Sequence, residues 1–371
     1  MLAPDRKWYI YAHKMHKYDS GMHMKKVAVV GARGYSGLEL VRILLKHPSA
    51  EILACFASDS KFDLSDFLPE TAALTVPVLP MDKFDEVAGA VDTVFLATPA
   101  EVSTELAPRA LKAGANVIDL SGAFRLSPEN AREWYGLAEK DLKTLEAAEY
   151  GLVPWAGPSV KTKSPRLISN PGCYATAVLM GLLPLLKKGL IDASTLVIDA
   201  KSGASGAGRK ASENLLFCEV EGECLPYKVG KHQHLPEIRE HAQKLAGASI
   251  DPMFVTHLLP VRRGILAGIY ARVPQGVDLE QIAASYQEAY SGYGLVRHGA
   301  VDESKRQLLT LKRIAGSARC EIRYQLQSNQ LYVFSIIDNL MKGAASQAIE
   351  NFNRLHDVPV TMVLNELEGI L

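Results

Sequence analysis

"KKVAVVGARGYSGLELVRILLKHP", residues 25–48, sets the architecture of the amino-terminal half. The valine-rich run before Gly31 has the length and branching of a buried strand. The chain then breaks at Gly31, Gly34 and Gly37 and continues as an amphipathic helix. Strand, glycine turn and helix in that order bring backbone N–H groups to a helix N-terminus, where a pyrophosphate can bind. The spacing is G-x-x-G-x-x-G, a variant of the dinucleotide fingerprint. The turn residues Gly31, Arg33, Gly34, Tyr35, Ser36 and Gly37 are therefore candidate cofactor contacts. The competing reading is a plain tight turn between a strand and a helix.

Outward from this unit the same alternation repeats. "EILACFAS" (51–58) is a second strand, and Ser58, Asp59, Ser60 and Lys61 follow it. An acidic residue closing this strand would hold the ribose of NAD, whereas hydroxyls and a cation suit a 2′-phosphate. Ser58, Ser60 and Lys61 favour NADP, and Asp59 argues the other way. "VDTVFLATPAEVSTELAPRALKAGANVIDLSGAFRL" (91–126) adds strand, helix and strand. Such alternation predicts an α/β fold with a Rossmann-type, doubly wound parallel sheet. Ligands gather at the carboxyl ends of its strands, which places Thr98, Pro99, Ser121 and Arg125 among the candidate pocket residues.

The middle of the chain holds the reactive side chains. In "SNPGCYATA" (169–177), Asn170 can N-cap a helix and Pro171 suits its first position. Cys173 then falls in the first turn, where free N–H groups and the helix dipole favour a thiolate. The helix is expected to kink at Pro184 and to end at Lys187, Lys188 and Gly189. The bland alternative is a buried structural cysteine. "TLVIDAKSGASGAGRKA" (195–211) is a strand and a Gly/Ser loop that can cradle an anion, with Arg209 and Lys210 behind it. No G-K-[ST] closes that loop, so it is not a Walker loop. In "YKVGKHQHLPEIREHAQKLAG" (227–247), His232 and His234 would face the same way if extended, and Pro236 would open a helix that Gly247 ends. A histidine fixed before a helix start can serve a thiol as base. Cys218, Cys224, His232 and His234 lack the short spacing of a zinc knuckle, so no metal is expected. "RCEIRYQLQ" and "QLYVFSIID" read as a hairpin in a largely antiparallel sheet. The final helix starts among small residues beside Asn339 and Lys342, either to close on a cofactor or to allow close packing.

Composition narrows the classes. The 371 residues suit two domains, and 41 basic residues balance 41 acidic ones. Neither a nucleic-acid surface nor a polybasic membrane patch is indicated. Five scattered cysteines fit reduced thiols in a cytoplasmic protein rather than a disulfide framework. Residues 1–23, aromatic and basic without periodicity, read as a disordered leader with no apolar core of signal-peptide length.

The segments "VAVVGARGYSGLELVRIL", "SNPGCYATA", "SGASGAGRKA", "KHQHLPEI", "HLLPVRRGILAGIYA" and "DNLMKGAASQAI" together resemble the N-acetyl-γ-glutamyl-phosphate reductases, relatives of the aspartate-semialdehyde dehydrogenases. The resemblance runs from about Met24 to the C-terminus. It departs from the family pattern at Gly122 and Ala123, where Ala-Asp is common, and at Ala318, where Asn is common. It implies a nucleotide domain (24–172 plus 339–371) and an α+β catalytic and dimerisation domain (173–338). It implies NADPH, an acyl-phosphate substrate, inorganic phosphate as product, and a homotetramer or dimer in arginine biosynthesis. Cys173 inherits the role of nucleophile. The acid/base is His232 or His234, with His234 preferred because Glu237 follows it and could orient it. Asn339 would reach the cofactor. Ser121, Arg125, Asn170, Ser205, Gly206, Arg209 and Lys210 would surround the substrate. An aminoadipyl or aspartyl phosphate would suit a close relative. A thiol acyltransferase would use the same Cys and His but would not need the dinucleotide turn.

Overall fold

The computed structural model describes residues 24–367 except 60, 70, 72–75, 139–141 and 158–163. The expected leader (1–23) and Ser60 lie outside the described residues.

The first sheet comprises β1 (Lys25–Val30), β2 (Ala50–Phe56), β3 (Val78–Leu79), β4 (Thr93–Leu96), β5 (Asn116–Asp119), β6 (Ala148–Tyr150) and β7 (Leu167–Ser169). Their spatial order is β3-β2-β1-β4-β5-β7-β6, and every pairing is parallel. In β1 the side chains alternate between two cores. Val27 and Val29 join one with Leu40, Val41 and Leu44 of α1 (Tyr35–Lys46). Ala28 and Val30 join the other with Leu106 and Ala110 of α2 (Ala100–Lys112). A strand apolar on both faces is what a doubly covered parallel sheet requires. The strand order reverses between β1 and β4, which opens the ligand crevice at their carboxyl ends.

The second sheet comprises β8 (Asp192–Gly203), β9 (Leu225–Tyr227), β10 (Met253–Leu259), β11 (Ile265–Arg272), β12 (Val296–Ala300), β13 (Cys320–Gln327) and β14 (Gln330–Ile337), in the order β12-β13-β14-β11-β8-β10-β9. It is mixed. The β8–β10 and β12–β13 pairings are parallel and the others antiparallel. The expected hairpin is β13–β14, turned at Ser328 with φ of 55°.

Helix α3 (Cys173–Lys187) lies between this sheet and α4 (His234–Ala246), buried from Tyr174 through Leu186. That explains why it is apolar all round rather than on one stripe. The element stays helical through Pro184. Proline there cannot donate to the carbonyl of Met180, and the hydroxyl of Tyr290 donates to that oxygen instead. Two starts differ from the sequence reading. The N-cap of α3 is Gly172 rather than Asn170, and α4 begins at His234 rather than at Pro236. After β14 the chain makes a π-turn (Met341–Ala345) and then α5 (Ser346–Leu355), whose Ile349 and Phe352 return to the core of the first sheet.

Candidate active site

Cys173 opens α3 and is half-buried on a cavity of about 1180 Å³ between the two sheets. His232, His234, Arg125, Gly34, Tyr35 and Ser36 line the same cavity. The chain entering α3 is fixed by Asn170. Its N–H donates to Asp119 O (2.7 Å), its Nδ2 to Ala344 O (3.1 Å), and its Oδ1 accepts from Asn351 (3.1 Å). Asn170 is fully buried, so it is an anchor behind the nucleophile rather than part of the cavity wall. Gly343 of the π-turn passes so closely that a Cβ there would lie 2.8 Å from Cys173 Cβ. The low thiol pKa expected from the helix start does not hold in this structure. Burial pushes the Cys173 thiol up to about 11, against the opposing pull of Arg125 and of the Tyr174 N–H.

The histidines approach from α4. The stretch before it is not extended, because Gln233 is already helical, yet the two rings meet with centroids 4.8 Å apart. His232 Nδ1 accepts the backbone N–H of His234 (3.1 Å). The His234 ring lies against Gly172, where a Cβ would fall 2.4 Å from Nε2. Both rings are buried and neutral at pH 7. Burial pulls His232 down to about 4 and His234 well below the ordinary histidine range.

Glu237 does not orient His234. Its Oε1 accepts the N–H of Gly172 (2.8 Å) and the hydroxyl of Tyr150 (2.8 Å), and its Oε2 faces Arg125 Nη1 at 3.8 Å. His234 Nδ1 has no hydrogen-bond partner among the described residues. Glu237 therefore holds the peptide that precedes the nucleophile. Burial raises its carboxyl pKa, and Arg125 opposes that rise. Arg125 in turn donates to Asn170 O (2.8 Å) and Leu120 O (2.6 Å).

The remaining predicted residues divide. Ser205, Gly206, Arg209, Lys210 and Asn339 line the cavity. Asn339 ties the glycine loop down, donating to Ser205 Oγ (3.0 Å) and accepting from Gly264 N–H (2.8 Å). Ser121 is off the cavity and its hydroxyl donates to Asp119 (2.7 Å). Thr98 bonds Ser103 (2.9 Å) and Pro99 caps α2, so both shape the turn after β4 rather than the wall. Lys342 is spent in packing. Fully buried, it pairs with Glu350 at 2.9 Å and donates to Val153 O (3.0 Å). Cys218 and Cys224 are exposed.

The glycine turn fits a dinucleotide. Gly31 has φ of +85°, and a Cβ on it would meet Ala97 O at 2.2 Å. A Cβ on Gly37 would meet Gly31 O at 2.2 Å. No side chain caps the start of α1, so its first N–H groups remain for a phosphate. Beside it Arg33 faces Asp59 at 3.7 Å, and Ser58 is exposed. Arg209 reaches this turn rather than the thiol end of the cavity. It donates to Arg33 O (2.9 Å) and lies 4.4 Å over the Phe67 ring and 6.0 Å over the Tyr35 ring.

The sequence reading missed Tyr150, Gly343, Tyr227 and Lys228. The first two position the nucleophile's surroundings and the last two line the cavity. Only Gly343 left a signal, as the glycine inside the small-residue run "MKGAAS".

Residues 26–162 match the family described as semialdehyde dehydrogenase, NAD binding domain, and residues 173–339 match semialdehyde dehydrogenase, dimerisation domain. The chain is 40% identical over 340 residues to an N-acetyl-gamma-glutamyl-phosphate reductase of Brevibacillus brevis, covering 91% of this chain and 96% of that one. It is 41% identical over 351 residues to the reductase of the same name from Geobacillus stearothermophilus, covering 94% and 98%. Among solved structures, aspartate semialdehyde dehydrogenase II of Vibrio cholerae shares the fold, with a TM-score of 0.63, 18% identity, and coverage of 90% and 98%. The aspartate semialdehyde dehydrogenase of Candida albicans, solved with NADP, has a TM-score of 0.61, 17% identity, and coverage of 90% and 99%.

Proposed function

The chain belongs to the N-acetyl-γ-glutamyl-phosphate reductase family, a branch of the semialdehyde dehydrogenases, and from that membership we propose how its own residues perform the reduction. It is an NAD(P)-dependent oxidoreductase that converts N-acetyl-γ-glutamyl phosphate to N-acetylglutamate semialdehyde, within arginine biosynthesis. The cofactor is NADPH, a preference supported by Arg33 in the turn and by Ser58 and Lys61 after β2. The nucleotide domain is 24–172 plus 339–371, and 173–338 form the catalytic and oligomerisation domain of a cytoplasmic homotetramer or dimer.

One observation carries this reading. Cys173, two neutral histidines and the uncapped start of α1 open onto one cavity. His234, held against Gly172, takes the thiol proton as sulfur attacks the acyl carbon, and passes it to the departing phosphate. The carbon–oxygen bond to phosphate breaks and a thioester to Cys173 forms. The free N–H groups at the start of α3 stabilise the developing oxyanion. Ser205, Gly206 and Lys210 receive the phosphate, and the buried cation of Arg125 favours negative charge at the sulfur. When bound, the reduced nicotinamide supplies the hydride that turns the thioester into a thiohemiacetal. His234 then carries a proton from water to the sulfur as the aldehyde leaves. His232, bonded to the His234 backbone, keeps that ring in place.

The test is Cys173→Ser, assayed with semialdehyde, phosphate and NADP⁺. Turnover is expected to vanish while NADPH binding persists. Near-normal rates would remove the thioester. Running N-acetylglutamate, aspartate and aminoadipate semialdehydes side by side identifies the acyl group, with the first expected to be preferred.

A further inference from the structure

The loop after β8 ends in a cation that faces the nucleotide half. Arg209 leaves Gly208, crosses the cleft, and donates one N–H to the carbonyl of Arg33 inside the glycine turn. Its guanidinium lies over the rings of Phe67 and Tyr35, at 4.4 and 6.0 Å. Together they fix the direction of a side chain that solvent would otherwise leave free.

Three nearby guanidinium groups already have carboxylate partners. Arg33 faces Asp59, and Arg42 and Arg263 share Glu39. Arg209 has no carboxylate partner among the described residues. A guanidinium has five N–H donors, and among the described residues only one of them is used. An unpaired, pre-aimed cation beside an uncapped helix start is a receptor for an anion. In a fold of this kind the pyrophosphate lies at that helix start, and the adenosine ribose lies toward the end of the second strand. Phe67 and Asp59 both follow β2, so Arg209 stands at the adenosine end of the channel.

We propose that Arg209 is a dinucleotide-binding residue, supplied across the cleft to the phosphates of the cofactor's adenosine half, and not a ligand of the substrate phosphate. This rests on the reductase reading. It also divides the "GRK" cations by task, with Arg209 on the cofactor and Lys210 on the substrate side.

The experiment measures the Kd of NADPH and of reduced nicotinamide mononucleotide by nicotinamide fluorescence, for the wild-type chain and for Arg209→Ala and Arg209→Lys. The KM for inorganic phosphate is measured in the semialdehyde-oxidising direction. Losing one charge-assisted hydrogen bond is expected to weaken NADPH about tenfold or more in Arg209→Ala. Arg209→Lys should fall between, since it keeps the charge without the stacked plane. The mononucleotide, which lacks the adenosine half, should bind as before, and the phosphate KM should change by less than about twofold, with the residue off that site. Unchanged NADPH affinity with a raised phosphate KM would overturn the proposal and leave the reductase reading intact. Equal weakening of both nucleotides would also overturn it, because the contact would then act on closure in general. A wild-type chain that bound no dinucleotide would sink both readings together.

Discussion

His241 illustrates how much one buried ring decides. Its Nε2 donates to the carbonyl of Arg125 (2.8 Å), and its ring stacks on Tyr150 with centroids 3.2 Å apart. Arg125 and Tyr150 are the two groups that hold Glu237, so His241 braces the brace. Burial pulls its pKa down to about 3. Between about pH 3 and 6.5 the unfolded chain therefore binds a proton at this residue that the folded chain refuses. Its contribution to stability is complete above 6.5 and is lost as pH falls toward 3. The buried carboxyls Asp119, Glu237 and Glu350, raised by burial, act with the opposite sign. Only a difference measurement isolates the ring. Urea unfolding of His241→Gln between pH 4 and 6.5 should show a pH slope shallower than wild type by about 1.4 kcal/mol per pH unit, one proton's worth. Parallel slopes would mean that this ring titrates normally. At this scale the sequence was readable where a side chain announces its own chemistry, as Cys173, His232 and His234 do. The partners of Glu237 were not readable. Tyr150 lies on the first sheet and Arg125 in the loop after β5, and nothing local in either segment points at α4.

Among the elements, helix starts matter most, and two glycines set them. At Gly172 a methyl group would strike His234 Nε2 at 2.4 Å and Glu237 Oε2 at 2.8 Å. At Gly343 it would strike Cys173 Cβ at 2.8 Å. Neither glycine has a positive φ, so each is required by close approach rather than by backbone conformation. Gly172→Ala and Gly343→Ala should each lower kcat by at least about tenfold, since a displacement near 1 Å at a reacting group is costly. The Kd for NADPH should stay within about twofold, because the turn at Gly31 lies on the other wall. Activity near wild type in either variant would mean that the helix start can shift without harm. The elements themselves followed from periodicity and punctuation. β1, α1, β4, α2 and the β13–β14 hairpin stand where alternation and glycine breaks place them. The starts of α3 and α4 each moved by two residues, while their C-terminal ends stand where expected. Asn170, a good cap by chemistry, is instead claimed by Asp119, Ala344 and Asn351, which come together only in the folded chain. The π-turn at Met341–Ala345 inserts an extra residue per turn beside the nucleophile, and composition does not announce it.

For the whole molecule, a buried ion network spans the junction of the two sheets. Arg263, in the loop between β10 and β11, pairs with Glu39 on α1 at 2.8 Å and with Asp338 at the end of β14 at 2.9 Å. Asp338 also accepts the N–H groups of Gly316 (2.6 Å), Leu340 (2.7 Å) and Met341 (3.1 Å), so it fixes the turn that leads to Gly343. One cation thus joins the dinucleotide helix to the backbone that presses on Cys173. The network was illegible in "PVRRGIL", because neither carboxylate is near in sequence and Arg262 looks equally suited. Removing one member of a buried pair costs about 3–5 kcal/mol, chiefly through the charge left behind. Arg263→Ala should therefore lower the thermal transition and separate the unfolding of the two halves into resolvable steps in calorimetry. Arg263→Ala combined with Asp338→Asn should recover part of the loss, because the stranded carboxylate is then neutral and the amide oxygen still accepts the N–H groups of Leu340 and Met341, while the bond from Gly316 is given up. If the single variant melted as wild type does, the junction would be held by apolar packing, and the ion network would be a passenger.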